Sequence, residues 1–546
     1  MAKELSYKPL DDLGVNGLNT QSNPATLDPS WLTKAENVVI RESGRIALRK
    51  GLKQKIVPIG TAIASLVEHR DQSTDKIFAS YGTSIYTVDF GSPTAAFPSS
   101  GDDVKHTVAD TTGDWQFVNF NDRLHCFHTG VIPQRYDGSL GVDSKWTAHA
   151  TDPASISSLF DPSCGMGYYG RIWAGGVAEA KDVVYYSNLL DGDDWTGGDT
   201  GLIDLAKVWG TDEIVALAPF YGKLVIFGKN NIVIYDSPTV VGSLAVNEVI
   251  RGIGLVSRDT VQAIGDDLVF LSSTGLRSLA RTTEKDKLPL QDLSLNIKDT
   301  LIRNIGNSTN VKSVYVESEG IYIMSFVDKN INYIFDFKHG TPNGAPRITT
   351  WTFDSDREPA SLAYTNLYGL LVGQQDGGLA GYERYFDTDA AAADGGGVTY
   401  TDTSYTSEIQ TVWLNLGDSV IAALLKRFFM IIEGGNGATV CMKYYKDFSP
   451  VSSDSTCVTL SPVTTGTAFL WGATTSLYGA TTAAHTHDSA VHTASATYRP
   501  IYGLKEYRMP LLGSAKHLKI AIDIQSNGFD LAIQALTLLH KQGKIR

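Results

Sequence analysis

The sequence lacks any apolar run long enough to span a membrane, and its first ten residues, MAKELSYKPL, lack the apolar core of a signal peptide. We therefore expect a chain without a membrane-spanning segment that is made in a cytoplasm. Its 546 residues are enough for two or three domains, each with a substantial apolar core.

Cysteine is scarce. The four cysteines, Cys126, Cys164, Cys441 and Cys457, show no C-x-x-C spacing. A disulfide between Cys441 and Cys457 across a hairpin is conceivable, but buried free thiols in a reducing compartment are the favoured interpretation.

Catalytic motifs are also missing. The chain has no G-x-S-x-G, no phosphate loop ending in Gly-Lys-Ser/Thr and no H-E-x-x-H. Neither residues 191–195 nor Ser355-Asp356 reproduce the Ser-x-Asp-x-Gly-x-Thr-Trp box of sialidases. Residues 191–194, DGDD, have the acidic character of a calcium loop but not its alternating ligands or later Glu, so we expect a solvated turn. The sequence predicts no enzyme, cofactor or metal.

The net charge of −13 is unevenly distributed. Residues 1–56 carry nine Lys and Arg against six Asp and Glu, and residues 505–546 carry seven against three. The part between is strongly acidic, which disfavours generic DNA binding because phosphate contacts need clustered cations. An acidic body could still surround DNA without gripping it. The basic ends suit contacts with an acidic partner, or are chance variation on a solvated surface.

What the sequence does contain is clearest at residues 213–236, EIVALAPFYGKLVIFGKNNIVIYD. Three short apolar runs, rich in Val, Ile, Phe and Tyr, are separated by Gly and Asn. This pattern is typical of antiparallel strands joined by tight turns. So few strands cannot bury both faces, and the unit therefore needs neighbouring copies of itself.

Six further stretches repeat the pattern at intervals of roughly fifty residues, a period typical of propeller blades. They are residues 66–90, 115–137, 166–187, 261–279, 312–337 and 362–382. We predict a mainly β protein with a propeller of about six to eight blades over residues 57–389. The alternative is a pair of plain β-sandwiches, which also have short strands at regular spacing.

Residues 1–56 do not resemble a blade. Asp28 and Pro29 suit the start of a short helix over 28–37, because Asp can cap it and Pro fits its first position. Residues 38–41 and 45–49 then read as a hairpin around Gly44. Such an N-terminal arm has little core of its own, so we expect it to pack on another domain or another subunit.

Beyond the repeats, residues 390–397, AAAADGGG, form a linker by composition. Residues 398–546 contain at least six strand candidates, which favours a C-terminal antiparallel, sandwich-like β domain; residues 421–425 are ambiguous between helix and strand. Between two blades, apolar residues at helical spacing predict a short helix over 295–305, with Gly306 as its cap. The stretch 464–498 is mostly Thr, Ala, Ser and Gly, and is either disordered or a functional extension.

Several short motifs carry a family resemblance, spread along the chain. They are Gly17-Leu18-Asn19, Pro24, Ala35-Glu36-Asn37, Gly44-Arg45, Leu48-Arg49 and Gly51, then residues 115–124 with 133–138, and residues 516–524, 528–533 and 541–543. This succession resembles the tail nozzle, or tail tubular, proteins of short-tailed bacteriophages. Their N-terminal pattern is G-G-L-N … P … A-x-N … G-x-L-x-x-R-x-G, and the chain departs from it where Asn16 replaces the first glycine.

The resemblance implies a structural protein of the virion tail. Such proteins form a homo-oligomeric ring, a hexamer, below an adaptor ring, and double-stranded DNA leaves through the lumen; the ring can also carry tail fibres. On this hypothesis the assembly and adaptor contacts are Gly17, Leu18, Asn19, Asn37, Arg45 and Arg49, together with the C-terminal strands.

The extension at 464–498 is then the candidate gate or tip loop, with Phe469, Trp471, Tyr478, His485, His487 and His492 as its distinctive residues. The histidines invite a metal interpretation, but no scaffold fixes them, and we favour polar loop histidines. Two alternatives remain for the whole chain, a glycan-binding or glycan-cleaving propeller and a generic propeller scaffold for protein interactions.

Overall fold

A computed structural model describes the chain from residue 5 to residue 542. The description leaves out residues 11, 42–43, 57, 59, 71–74, 89–105, 109–111, 141–144, 237, 281–291, 307, 309, 355–356, 385–386, 393–397, 417–421, 436, 461–483, 488–489 and 494–503. The chain divides into two compact units. Unit 1 comprises Met1–Gly51, Glu383–Asp387 and Asp402–Arg546, and unit 2 comprises Leu52–Tyr382 and Thr388–Thr401.

The N-terminal segment is built from short strands. They are β1 (Ser6–Pro9), β2 (Gly17–Leu18), β3 (Trp31–Glu36), β4 (Val38–Ile40) and β5 (Ile46–Leu48), followed by β6 (Gly51–Ile56). β4 and β5 pair antiparallel around Gly44, which confirms the predicted hairpin. The first five strands belong to unit 1, whereas most of β6 belongs to unit 2.

Unit 2 begins with four antiparallel meanders of four strands each. The first comprises β7 (Ile63–Arg70), β8 (Asp75–Tyr81), β9 (Ser84–Val88) and β10 (His106–Thr107), and the second β11 (Gln116–Phe120), β12 (Arg123–His128), β13 (Val131–Asp137) and β14 (Trp146–Ala148). The third comprises β15 (Cys164–Tyr168), β16 (Arg171–Gly175), β17 (Val183–Tyr186) and β18 (Gly201–Asp204), and the fourth β19 (Ile214–Phe220), β20 (Lys223–Gly228), β21 (Asn231–Asp236) and β22 (Ala245–Arg251). Helix α1 (Ala206–Trp209) lies between the last two.

Three more meanders complete the series among the described residues. They are β23 (Gln262–Ile264), β24 (Asp267–Ser272) and β25 (Gly275–Ser278); β26 (Val311–Val316), β27 (Ile321–Phe326), β28 (Ile331–Gly340) and β29 (Pro346–Trp351); and β30 (Pro359–Thr365), β31 (Gly369–Gln374) and β32 (Leu379–Arg384). A 3-10 turn, Leu295–Ile297, leads into α2 (Lys298–Ile305) between the fifth and sixth meanders. The predicted helix over 295–305 is therefore confirmed.

The seven meanders are the blades of a β-propeller, and each contains one of the seven stretches predicted from the sequence. The inner strands of the first four blades lie side by side in order, as do those of the last three, and β30 of the seventh blade lies beside β7 of the first. The fourth and fifth blades share a buried cluster that includes Phe227 and Phe270. Tight turns follow the sequence: in the second blade Asn121 and Asp122 have φ of 51° and 59°, the left-handed values that a two-residue hairpin needs.

The ring is closed by a strand from the start of the propeller. β6 pairs with β32 and so completes the seventh blade, although it precedes the first blade in sequence. Ile56 of β6 and Ile63 of β7 share one buried cluster with Leu371 and Leu379 of the last blade. Ser361 Oγ also donates to the carbonyl of Ile63 at 2.7 Å. Burial of both faces and pairing of the last edge remove the exposed strand that an open array would leave.

Unit 1 contains most of the strands outside the propeller. They are β35 (Thr406–Thr411), β36 (Leu414–Asn415), β37 (Ala423–Gly434), β38 (Thr439–Lys446), β39 (Asp454–Thr459), β42 (Leu504–Pro510), β43 (Ser514–Ala515), β44 (His517–Gln525) and β45 (Leu531–Gln542). The hairpin of β40 (Ala484–His487) with β41 (Ala490–Thr493) lies between β39 and β42 in sequence. Another hairpin, β33 (Asp387–Ala392) with β34 (Val398–Thr403), precedes β35, and its residues 388–401 belong to unit 2. One sheet has the order β4-β5-β45-β37-β42, with β1 on β45; a second contains β2-β3-β35-β44-β38-β39. All these pairs are antiparallel except β2 with β3.

The predicted helix over 28–37 is wrong. Asp28 does cap a turn, since its Oδ1 accepts from the Ser30 amide at 2.9 Å, but the next residues form β3. β3 pairs with β35, and this buries Leu32 and Ala35 completely. Pairing with a strand some 375 residues away outweighs a weak local helix preference. The ambiguous residues 423–425 are also extended, as the start of β37.

The linker predicted at 390–397 is only partly visible. Residues 390–392 end strand β33, and residues 393–397 lie outside the described part of the chain. Three strands of the N-terminal segment pair with C-terminal strands of unit 1: β1 and β5 pair with β45, and β3 pairs with β35.

Cysteine chemistry differs from the favoured interpretation at one pair. Cys441 and Cys457 are directly opposite each other on β38 and β39 and form a disulfide, so free thiols are the wrong expectation there. Cys126 and Cys164 are buried free thiols, as expected. The pairing depends on strand register, which cysteine spacing alone does not give.

We expect the unreduced, unfolded chain to show two alkylatable thiols rather than four, by intact mass after iodoacetamide treatment. The disulfide closes a loop with a sequence separation of 16 residues, which stabilises the folded chain by about 3 kcal/mol. Cys441→Ser with Cys457→Ser should lower the free energy of unfolding of unit 1 by about 2–3 kcal/mol in urea. Cys126→Ser is the control, because Cys126 lies in unit 2 and its replacement should leave the free energy of unfolding of unit 1 unchanged. Four thiols in the unreduced chain would contradict the pairing.

Candidate functional site

The axis of the propeller carries a cluster of charged side chains. Asp114 precedes β11, Arg258 and Asp259 lie in a 3-10 turn before β23, and Lys312 is near the start of β26. They line a cavity of about 240 Å³ together with residues of β7 and β30. The inner strands of five blades contribute residues to this cavity, which brings together charges that are distant in sequence.

Two cations and two carboxylates form a closed network there. Lys312 Nζ lies 2.6 Å from Asp259 Oδ2 and also contacts Asp114 Oδ1. Arg258 lies 2.9 Å from Asp259 Oδ1 through Nε and 3.0 Å from Asp114 Oδ1 through Nη2. Its Nη1 donates to the carbonyl of Ser163, at the start of the third blade. The network has no net charge and joins four blades.

The network favours the charged forms of Arg258 and Asp259. Burial by itself would lower the pKa of Arg258, but the charges of Asp259 and Asp114 raise it above its usual value. Burial would likewise raise the pKa of Asp259, but Arg258 and Lys312 lower it well below the usual range. Because every charge is compensated, the axial cavity offers no unpaired cation for an anionic ligand. The network acts as a clamp between blades, and sequence reasoning missed all four residues.

A second buried cluster lies between the second and third blades. His125 Nδ1 is 3.0 Å from His149 Nε2, and Trp195 Nε1 donates to His149 Nδ1 at 3.0 Å. Asp193 Oδ1 lies 3.6 Å from His125 Nδ1 and 3.7 Å from His149 Nε2. The other carboxylate oxygen of Asp193 pairs with Arg135 and, at 3.4 Å, with Arg123.

The hydrogen bond from the Trp195 indole determines which ring nitrogens of His149 and His125 carry a proton. Trp195 can only donate, so His149 Nδ1 accepts and the proton of neutral His149 is on Nε2. That proton is donated to His125 Nδ1, which places the proton of His125 on Nε2. Burial lowers the pKa of His125 to about 3, with Arg135 and Arg123 adding to the effect, and burial, His125 and Arg135 lower that of His149 well below its usual value.

Two imidazoles and a carboxylate this close together could in principle hold a metal ion. The donor set does not fit one. A metal ion would need a free lone pair on His149 Nε2. Because Trp195 donates to His149 Nδ1, the proton of neutral His149 is on Nε2, and that nitrogen has no free lone pair. In addition, the two arginines already neutralise Asp193 and Asp137, so a divalent ion would add two uncompensated charges to a buried site. We assign the cluster to packing between blades.

This cluster corrects one expectation from the sequence. The DGDD turn was expected to be solvated, and Asp191 is exposed, but Asp193 is only 5% exposed. Asp194 accepts hydrogen bonds from the amides of Thr196 and Gly197 within its own turn. No signal in a single sequence links His125 to His149 and Asp193, because their proximity depends on which blades are neighbours.

Two of the predicted assembly residues hold unit 1 together. Asn37 has a φ of 55°, and its side chain donates to the carbonyl of Thr406 at 2.8 Å and accepts from Arg49 Nε at 2.9 Å. The guanidinium of Arg49 is fully buried and lies 4.1 Å from the ring of Tyr405, whose hydroxyl donates to the Arg49 carbonyl. The nozzle-like motif therefore coincides with a buried hydrogen-bonded contact.

The other four are divided between the interior and the surface. Gly17 has a φ of 81°, Leu18 is buried beside it in β2, and Asn19 Oδ1 accepts from the amides of Gln21 and Ser22. Arg45 is partly exposed and lies 3.3 Å from Glu433. Of the six, only Arg45 presents a long charged side chain to solvent.

The structure describes the backbone of three of the six candidate gate or tip residues. Phe469, Trp471 and Tyr478 lie outside the described residues. The backbone of His485, His487 and His492 belongs to the β40–β41 hairpin, where residues 485 and 492 are directly opposite each other. Their function therefore stays a prediction.

The described part of the chain contains no helix that is both long and apolar enough to cross a membrane. No family model matches the sequence, and no curated protein matches it. Solved structures do match the fold.

Two of these are a WD40 domain and a bacterial surface component. The WD40 domain of Pan2 from Neurospora crassa superposes with a TM-score of 0.37 at 8% identity, over 62% of this chain and 95% of that one. PorZ, a surface component of the type IX secretion system of Porphyromonas gingivalis, gives a TM-score of 0.34 at 10% identity, over 69% of this chain and 44% of that one.

Lys312→Met should destabilise the propeller, since it leaves Asp114 and Asp259 sharing one cation. Breaking a buried ion pair costs about 3–5 kcal/mol, and partial exposure of Asp114 reduces this to about 2–3 kcal/mol. Lys223→Met is the matched control, because Lys223 and Asp236 form a partly exposed pair worth less than about 1 kcal/mol. Urea unfolding measures both, and equal losses would contradict the clamp.

The histidine cluster predicts acid sensitivity. Unfolded histidine titrates near pH 6.5, whereas folded His125 and His149 stay neutral far below it. The unfolded state therefore binds more protons below pH 6.5, and the stabilisation present above that pH is lost as pH falls. Between pH 7.5 and 5.5 each histidine should contribute a loss of about 1.4 kcal/mol.

The measurement is urea unfolding at both pH values for the wild type and for His125→Gln. The wild type should lose about 1.4 kcal/mol more than the variant on acidification. A difference near zero would show that His125 is already charged in the folded chain.

Proposed function

We propose that this chain is a structural virion protein that forms the tail nozzle of a short-tailed phage. The observation that carries the proposal is the place of the family motif in the fold. Asn37 and Arg49, two residues of that motif, join the N-terminal segment to the C-terminal strands through buried hydrogen bonds. A left-handed backbone at Asn37 and a fully buried arginine explain why this pattern needs those residue types.

Charge supports a conduit rather than a binding surface. Residues 52–382 carry 26 Lys and Arg against 39 Asp and Glu, so the net charge of the chain resides in the propeller segment. Such a surface repels phosphate and lets a duplex pass without being held. In our proposal the channel is the lumen of a ring of copies. The axial cavity of about 240 Å³ has room for only about eight waters, and Arg258, Asp259 and Lys312 line it.

The proposal assigns no catalysis to the chain. The two polar clusters in the propeller have structural explanations, since one is a neutral ion network and the other is a hydrogen-bonded chain of buried rings. As the resemblance implies, the partners are further copies in a hexameric ring, an adaptor ring and, at the outer surface, tail fibres.

Mass photometry and sedimentation velocity of the full chain test the proposal. We expect a ring-sized homo-oligomer at micromolar concentration that does not shift a DNA duplex at physiological salt. A chain that stays monomeric at all concentrations, or that binds duplex DNA tightly, would contradict it.

Variants separate assembly from folding. Arg45→Ala should weaken the oligomer without changing thermal stability, because Arg45 is exposed, whereas Arg508→Ala, another exposed arginine of unit 1, is the matched control. Arg49→Met should instead lower the free energy of unfolding by about 2–4 kcal/mol, since it leaves buried acceptors unpaired. Loss of assembly with Arg508→Ala but not with Arg45→Ala would place the contact elsewhere.

A further inference from the structure

Three consecutive blades end their innermost strand in the same way. β11 ends at Phe120, β15 at Tyr168 and β19 at Phe220. In the third and fourth blades a second aromatic residue follows directly, Tyr169 and Tyr221, at the first position of the turn. These five residues form what we call the aromatic turn surface.

The turns need a left-handed backbone, but they do not need large side chains at its first position. Tyr169 and Tyr221 have φ of 48° and 46°, and Leu190, in the next loop, has a φ of 61°. Large side chains avoid this left-handed region, where Gly or Asn would fit without cost. All three side chains are also exposed, at 44%, 65% and 63%. Strain combined with solvent-exposed rings gives no stability, and it therefore points to a function.

The strained residues are contiguous. A methyl group on Gly222 would lie 3.5 Å from the hydroxyl of Tyr169, which places the turns of the third and fourth blades side by side. The amide of Leu190 donates to the Gly170 carbonyl at 2.7 Å, and its carbonyl accepts from Asn121 at 3.0 Å. These bonds fix the turns of the second and third blades together. The rings therefore form an arc across three blades.

The polar groups around the arc are amides and carboxylates. Asn121, Asp122 and Asp191 are exposed beside it. The nearby cation, Lys223, is engaged by Asp236 at 3.2 Å and by Asn247 at 3.0 Å. An anionic ligand would meet carboxylates without an unpaired cation, whereas hydroxyl groups would find acceptors.

We propose that the aromatic turn surface binds a neutral polysaccharide. The C–H faces of pyranose rings pack on the exposed rings of Tyr169 and Tyr221, and sugar hydroxyls donate to the side chains of Asn121, Asp122 and Asp191. An arc of rings on successive blades suits a linear chain that repeats the same apolar face at each sugar. The acidic rim disfavours nucleic acid and anionic glycans. This site does not depend on the nozzle proposal, because the isolated chain would bind.

The left-handed backbone at Tyr169 and Tyr221 allows a test that separates binding from folding. Tyr169→Gly with Tyr221→Gly removes both exposed rings and suits the left-handed backbone, so the double variant should be at least as stable as the wild type. Affinity electrophoresis in native gels that contain dextran, yeast mannan or hydroxyethyl cellulose measures binding as retardation. We expect at least one of these polymers to retard the wild type, and the double glycine variant to lose at least tenfold in affinity.

Two further variants define the contact. Tyr169→Phe with Tyr221→Phe keeps the rings and should retain binding within about threefold. Tyr368→Ala removes an exposed tyrosine from a turn of the seventh blade and should leave retardation unchanged.

Three results would overturn the proposal. The wild type could migrate unretarded in all three polymers, or the double glycine variant could be retarded as strongly as the wild type. The third such result is a double glycine variant whose oligomer mass differs from that of the wild type while its retardation by the polymers does not. That result would assign the surface to a contact between proteins. Thermal unfolding of each variant confirms that the comparison is made between folded chains.

Discussion

Closure of the propeller by β6 is the constraint on which the rest of unit 2 depends. Without β6 the seventh blade would contain only β30, β31 and β32, and the edge of β32 would be exposed. β6 comes from the N-terminal side of the first blade and completes the last blade by pairing with β32. The shared cluster of Ile56, Ile63, Leu371 and Leu379 then couples the two ends of the ring. Stability becomes a property of the ring rather than of single blades.

Closure also has an electrostatic consequence. It brings the starts of the inner strands to one axis, and the charged residues there must neutralise one another or pay for desolvation. Arg258, Asp259, Lys312 and Asp114 meet this requirement with no net charge. The axis is thereby occupied, and ligands are left to the faces of the propeller. This is where the strained tyrosines of the third and fourth blades lie exposed.

Much of the architecture could be predicted from the sequence because it is locally encoded. Each blade is a set of β-branched and aromatic runs with Gly or Asn turns, and all seven were found by that pattern. The segment 28–37 failed because its strand depends on β35, a partner far away in sequence. The disulfide failed for a related reason, since strand register brings Cys441 opposite Cys457.

The sites were harder to predict than the fold. His125, His149 and Asp193 meet only because the second and third blades are neighbours, and the four axial charges meet only because the ring closes. In neither set does the sequence spacing of the residues match a known catalytic or metal-binding motif. Asn37 and Arg49 were named through the family resemblance as assembly contacts, a role that stays a prediction; their hydrogen bond within unit 1 was not predicted.

Native-state hydrogen exchange tests the central claim most directly. If β6 closes the ring, its amides and those of β32 should exchange only through global unfolding, with the same free energy and the same urea dependence as the inner strands of the other blades. Exchange of β6 through a local opening of low free energy, while the other blades stay protected, would contradict a ring that depends on its closing strand.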